Sequence, residues 1–335
     1  MQLKRLQEIM NRKKLDLILL FSKDINFKYF NGFNDFNGII AVSRKDFFVI
    51  TNRLEARTAR IKSRIRKIFL VKKDINSVIK GGTRNIRVIG INKDDVTLNQ
   101  YKRLRKEFRN ARFTDVSKEL SNIRSVKTGG EINKIKMACR TCDSIFFKLE
   151  RVLSKNKTEI EIADLIREEI RKKNCTEAFP AIVASGKNSA DIHHLPTNNK
   201  LKGFTIIDLG VKYDGYCSDM TRTFYVGKPS KKEINEYSKI LWIMEGIKKP
   251  SDIRSAKLMK NQHHALGHSV GIEVHEKPTL SRETNLNDGM VIAIEPGMYG
   301  RNYGIRIEDM FLAKNNKLIN LTKYTKNLII IQGAA

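Results

Sequence analysis

Apolar residues along the chain recur with two different spacings. The opening stretch MQLKRLQEIMNRKK carries a charged, amphipathic helical pattern and leads into the short apolar run Leu15–Phe21, which reads as a buried strand. Further strands are expected at Gly38–Val42 and Asp46–Thr51, followed by short elements that include Asn85–Ile91. This alternation over residues 1–122 predicts an α/β layer domain. A boundary is expected near Ile123–Gly130, where Gly129 and Gly130 precede a long helix starting near Glu131. A second amphipathic helix reads over Thr158–Lys172, with Thr158 as its cap and Glu161 completing a capping box. From Ala181 onward strands dominate, interrupted by a helix around Lys231–Lys248. Residues 123–335 therefore form the second expected domain, of α+β type.

Within that half, four carboxylates sit in short, unusual frames, three of them with apolar flanks. Asp208 lies in IIDLG, Asp219 in CSDMTRTF, Glu295 in IAIEPGMY and Glu308 in GIRIED. Apolar flanks place such a carboxylate in or beside the core, and a buried carboxylate must be paired or bind metal. Asp208 and Asp219 flank an Asp214-Gly215 turn signal, which would set them roughly opposite each other on adjacent strands of a hairpin. Glu295 and Glu308 flank the Gly- and Asn-bearing stretch from Gly297 to Gly304 in the same manner. With one imidazole, His268, these four make an oxygen-rich donor set for two divalent cations.

The six histidines fall in two windows, His193-His194 and His263 to His275. His264, His268 and His275 bracket Gly267 and Gly271, which let backbone approach other groups closely. One histidine serves as a ligand, leaving others to bind substrate or carry protons near neutral pH. His194 and His263 have no comparable frame and read as structural or solvated.

Composition narrows the class. No apolar run reaches 18 residues, so no membrane span is expected. The apolar run ending at Phe21 has no small-residue cleavage site after it, which argues against a signal peptide. Four cysteines in 335 residues fit a reducing, cytoplasmic setting without a disulfide framework. Cys139 and Cys142 form a CxxC inside a helical pattern, and helix packing accounts for it better than zinc. The net charge is +28, and residues 1–127 hold 31 Lys/Arg against 12 Asp/Glu. Clusters at Arg57–Lys67 and Tyr101–Arg109 are densest; a solvated basic face is favoured over a nucleic-acid partner because net charge reports on non-specific association and not on function.

These four frames and the His268 frame ALGHSVGIEVHE, in chain order, resemble those of the pita-bread metallopeptidases: methionine aminopeptidase, aminopeptidase P, prolidase and the metal-free creatinase. The GIEVHE stretch and the N-terminal segment KDINFKYFNGFNDFNGIIAVSRKDFFVITN are most similar to prolidase and aminopeptidase P. The resemblance implies a creatinase/prolidase-like N-terminal domain, a pita-bread catalytic domain with an internal pseudo-twofold, and a homodimer. By the same resemblance Asp208 is a terminal ligand of one metal, His268 and Glu295 are terminal ligands of the other, and Asp219 and Glu308 bridge. His193 matches the family histidine upstream of the first aspartate. His264 and His275 match the two histidines flanking the ligand, and Arg306 matches the arginine before the last glutamate. Three departures stand out: a stretch between Gly227 and His264 shorter than the family pattern by about one helix, Ile192 where the family has proline, and Ser269 where it has glycine.

The activity implied is hydrolysis of Xaa-Pro bonds in small peptides, most simply dipeptides. Glu295 would shuttle the proton, His264 and His275 would stabilise the oxyanion or orient substrate, and Arg306 would hold its carboxylate neighbours. Hard oxygen donors with a single nitrogen favour manganese, cobalt or iron(II), with zinc next. Two other readings compete: an aminopeptidase P acting on longer peptides, and a basic pita-bread scaffold that binds nucleic acid or the ribosome. The second has no physical reason to keep all five ligands.

Overall fold

A computed structural model describes residues 2–32, 36–71, 74–80, 85–256, 261–281 and 283–332. Residues 33–35 of the prolidase-like N-terminal segment, and 257–260 of the short stretch before His264, lie outside the described residues. The chain divides into two compact units, Met1–Arg124 and Ser125–Ala335.

The first unit is built on one six-stranded sheet. Its order is Ile68–Leu70, Phe47–Thr51, Gly38–Ser43, Leu17–Phe21, Val88–Ile91, Arg112–Asp115. Leu17–Phe21 is central, antiparallel to Gly38–Ser43 and parallel to Val88–Ile91, and it is buried along nearly its whole length. The apolar run starts at Leu15 but the strand starts at Leu17, because the chain turns first. Lys14 takes φ 54 and Leu15 N–H bonds back to Met10, ending the helix Gln2–Arg12. Arg57, Arg60, Arg64 and Arg66 of the basic cluster are exposed.

In the second unit the long helix runs Gly129–Val152. The two glycines lie inside its first turn and not before it, because Thr128 and Glu131 form the capping box that starts the helix. Thr158 and Glu161 do the same for Glu159–Lys172. Buried residues of these two helices, including Phe146, Leu149 and Ile166, pack on a four-stranded sheet. That sheet runs Ile330–Ile331, Met220–Val226, Gly203–Leu209, Ile182–Ser185. A second core joins the helix Lys231–Gly246, through Tyr237, Ile240 and Met244, to Ile292, Ile294 and Phe311. The strands behind it form a five-stranded sheet, in the order Glu276–Thr279, Gly267–Ser269, Val291–Ile294, Asp309–Lys314, Lys317–Asn320. Cys139 and Cys142 are buried in the long helix, with the Cys142 sulfur 3.1 Å from Ser218 Oγ. Among the described residues no helix is long and apolar enough to cross a membrane.

Candidate metal centre

Two hairpins present the four carboxylates, and their registers differ. In the first, Asp214 (φ 44) and Gly215 (φ 83) form the tight turn, with Tyr213 paired to Tyr216. Carried down the ladder, that register pairs Asp208 with Thr221 and Leu209 with Met220. Asp219, one residue further, falls opposite Gly210. The two aspartates are therefore diagonal neighbours on one face and not opposite each other, as the turn signal alone suggested. Two residues of offset keep both side chains on the same side. Gly210 is required at its position, since a Cβ there would lie 2.4 Å from the Phe179 ring.

In the second hairpin Gly297 pairs with Arg306 and Ile294 with Asp309, in one continuous register. This sets Glu295 directly opposite Glu308. Their own backbone N–H groups bond outward, Glu295 to Leu266 and Glu308 to Thr221, which stitches the second hairpin to the histidine strand and to the first hairpin. His268 sits on the strand Gly267–Ser269, opposite Ala293. Glycine at 267 allows that approach, because a Cβ there would lie 2.0 Å from the Ala293 carbonyl oxygen.

The result is one acid-rich pocket. Ligand atoms of Asp208, Asp219 and Glu308 lie within 4.8 Å of one another, as do those of His268, Glu295 and Glu308. Glu308 belongs to both groups. His268 Nε2 is 3.6 Å from Asp219 Oδ2, 3.6 Å from Glu295 Oε1 and 3.9 Å from Glu308 Oε1. A third group joins Asp219, His268 and His275, with the exposed His275 ring 4.2 Å from that of His268.

Burial pushes the Asp219 and Glu308 carboxyls well above the usual range. Charges of the neighbouring acids push the same way, against Arg306. Burial likewise raises Glu295, to about 7. The His268 imidazole is pushed down to about 4 by burial and by His275. Asp208 Oδ1, Asp219 Oδ1 and Glu308 Oε1 are buried without a hydrogen-bond partner. Orphaned buried oxygens on mutually repelling carboxylates, with a neutral imidazole aimed at them, fit divalent cations.

Arg306 braces the pocket from behind. Its Nη2 donates to Asp208 Oδ2 at 2.7 Å, its Nη1 to Tyr299 Oη at 2.9 Å and its Nε to Thr221 Oγ1 at 3.1 Å. Thr221 in turn donates to Glu308 Oε2 at 2.8 Å. Tyr299 Oη is 3.0 Å from His264 Nε2, and His264 Nδ1 lies 2.8 Å from the Ala265 carbonyl oxygen. Arginine and the carbonyl fix the proton order: Nδ1–H donates to Ala265, and Tyr299 O–H donates to Nε2. His264 Nδ1 is also 3.5 Å from Glu295 Oε2. His193 is exposed on the loop beyond 186–190, and its charge helps depress both His264 and His275, whose largest depressing influence is burial.

Sequence reading missed Tyr299 and Thr221. Tyr299 had a signal, closing the IAIEPGMY frame two residues from Gly297 on the same strand face. Thr221 had none, since its role depends on a partner 87 residues away. His194, read as structural or solvated, is structural, with Nε2 2.8 Å from buried Glu159.

Comparison with known proteins places the chain in a family. Residues 133–249 and 242–315 match metallopeptidase family M24, and residues 2–126 match the creatinase/prolidase N-terminal domain. The chain is 30% identical to the Xaa-Pro dipeptidase of Pyrococcus furiosus over 352 residues, 98% of this chain and 99% of that protein. A solved Xaa-Pro dipeptidase from Bacillus anthracis superposes with a TM-score of 0.90 at 27% identity, covering 98% of this chain and 99% of the other. An X-Pro aminopeptidase from Thermotoga maritima gives a TM-score of 0.82 at 28% identity, covering 96% of this chain and 100% of the other. By its motifs, fold and relatives the chain belongs to metallopeptidase family M24, with a creatinase/prolidase-type N-terminal domain.

Proposed function

We propose that this protein is a metal-dependent exopeptidase hydrolysing the Xaa-Pro bond of dipeptides, with residues 123–335 as its catalytic domain. One observation carries the reading: three buried carboxylates, the half-buried Glu295 and a neutral histidine converge on a pocket where three carboxylate oxygens lack hydrogen-bond partners. Asp208, Asp219, His268, Glu295 and Glu308 hold two divalent ions, with manganese, cobalt or iron(II) preferred and zinc next by donor chemistry. When bound, such ions lower the pKa of water and polarise the scissile carbonyl.

The chain's own groups do the rest. Glu295 faces His268 through Oε1 and His264 through Oε2, and it takes the proton of the attacking water and delivers it to the departing nitrogen. His275, neutral near pH 7 because burial lowers its pKa and exposed at the rim, donates to the carbonyl oxygen as charge develops there. His264, whose ring nitrogens are both engaged, orients Glu295 and anchors Tyr299. Arg306 holds Asp208 directly and Glu308 through Thr221. His193 contacts the substrate from the opposite loop. A prolyl bond is a tertiary amide without an N–H, so proteases that grip that hydrogen handle it poorly and a dedicated pocket has a reason to exist.

The test is a peptide panel under identical metal loading: Met-Pro, a Met-Pro tripeptide and Met-Ala. Met-Pro is expected to be cleaved fastest. Faster cleavage of the tripeptide would move the chain to the aminopeptidase reading, for which the likeness to the Thermotoga maritima enzyme speaks. Equal or faster cleavage of Met-Ala would refute the prolyl assignment.

A further inference from the structure

The loop that carries His193 hangs on one buried carboxylate outside the metal pocket. Glu159 is the first residue of the helix Glu159–Lys172, and its side chain is fully buried. Oε1 accepts from Ser185 N–H at 2.8 Å and from Asn188 Nδ2 at 3.0 Å. Oε2 accepts from Thr197 N–H at 2.9 Å and from Thr197 Oγ1 at 2.6 Å, and meets His194 Nε2 at 2.8 Å. Oε1 thus ties down the start of the segment and Oε2 its end, with His193 between them.

The carboxylate suits this task physically. Burial would raise its pKa, but donors from Thr197, His194, Asn188 and Ser185 outweigh that and hold it below the ordinary value. Its place in the first turn of a helix adds a favourable dipole. The segment is also held on the pocket itself, where Ile192 packs against the cluster of Ala184, Ile206 and Tyr299. Ser189 Oγ accepts from Gly304 N–H at 2.9 Å, two residues before Arg306. His193 brings little of its own, since its backbone N–H bonds only within the loop, to Asp191 Oδ1 at 3.2 Å.

We propose that Glu159 is a positioning residue for the reaction, its carboxylate holding residues 185–197 so that His193 stands beside His264 and His275 at the pocket. The inference rests on the substrate role given to His193 above. A glutamine at 159 keeps one acceptor oxygen and turns an NH2 toward the donors at the other end, so one end of the segment is released.

The experiment uses the metal-loaded full chain and an Xaa-Pro dipeptide. Glu159→Gln is expected to lower kcat/KM by about 10- to 100-fold, the scale of a misplacement near 1 Å. Metal content should stay at the wild-type level. Amide exchange across residues 185–197 should quicken while that of Gly203–Leu209 stays as it was. In a His193→Ala background the same substitution should cost less than about threefold more, because its effect passes through His193. Thr197→Val removes one donor and should shift rate and exchange in the same direction by about three- to tenfold, which serves if Glu159→Gln does not fold. Equal losses in both backgrounds, or unchanged exchange, overturn the proposal. If His193→Ala is slow and Glu159→Gln is not, the inference alone fails. If His193→Ala turns over at the wild-type rate, the role of His193 fails first and takes the inference with it.

Discussion

Glu295 and Glu308 face each other at the junction of two antiparallel ladders that share one register, bracketed by the pairs Ile294–Asp309 and Gly297–Arg306. Facing side chains of such a pair stand about 5 Å apart, and like charges at that spacing destabilise a sheet. The hairpin is therefore under electrostatic strain unless a cation or a proton neutralises it, and Arg306 is committed to Asp208, Tyr299 and Thr221.

Metal should stabilise the fold as well as permit turnover. Loading with manganese or cobalt at a hundredfold over the dissociation constant should add about 2.7 kcal/mol, seen as a rise in melting temperature that chelator reverses. Glu308→Gln should act with opposite signs in the two states. It should raise the melting temperature of the metal-free chain by removing one repelling charge, and abolish the metal-dependent rise together with activity. A variant that still binds two ions per chain by elemental analysis would remove Glu308 from the bridging position.

His275→Ala and His193→Ala should retain metal and lose about 10²–10³ in kcat, the usual consequence of removing one transition-state donor. Tyr299→Phe probes the bracing network instead. It leaves Arg306 Nη1 and His264 Nε2 without the hydroxyl that joins them, and a buried polar group left unpaired costs about 1–3 kcal/mol. Its melting temperature should fall even in the metal-free chain. His275, exposed, should show no such loss on substitution, so thermal melts of the two variants separate bracing from chemistry.

The donor set was legible because Asp208, Glu295 and Glu308 each interrupt an apolar run and Asp219 follows a turn signal, local patterns that survive folding. The relative placement of Asp208 and Asp219 was legible only in part. Asp214 and Gly215 mark the turn, but which residue faces Asp208 follows from pairing Tyr213 with Tyr216 and counting outward. The turn signal alone suggests Asp219 where Thr221 stands. Thr221 and Glu159 were invisible for a different reason. Their hydrogen bonds join residues 87 and up to 38 positions apart, and nothing local marks a threonine or a first-turn glutamate for such a role. The helix start at Thr158 was readable from its capping box, whereas the long helix was placed from near Glu131 because Gly129 and Gly130 resemble a boundary, although Thr128 and Glu131 form the same box.

Lys127 and Glu276 form a buried ion pair at 3.4 Å, and Glu276 also accepts from Ile272 N–H. Glu276 follows His275 in sequence and, through Ile272 N–H, backs the turn that presents it. Removing one member of a buried pair costs about 3–5 kcal/mol, whereas replacing both with apolar groups is often neutral. Lys127→Met should therefore destabilise strongly and Lys127→Met with Glu276→Met much less. A double variant as unstable as the single one would show that packing, and not charge, sets the cost.

Asp24 caps the helix Ile25–Asn31, accepting from Asn26, and is almost fully buried. Burial, with the nearby Asp95 charge, pushes its carboxyl up to about 7. The sign follows from proton counting. Between about pH 4 and pH 7 the folded chain holds a proton at Asp24 that the unfolded chain has released, so stability falls as pH rises through that window. The difference of about 3 pH units corresponds to at most about 4 kcal/mol. Asp24→Asn keeps the capping oxygen and removes the titration. The variant should be little changed at pH 4.5 and more stable than wild type at pH 8, with a flatter dependence of melting temperature on pH between them. A variant that loses stability equally at both values would mean that Asp24 is ionised in the folded chain throughout, with Asn26 and Asn92 sustaining its charge.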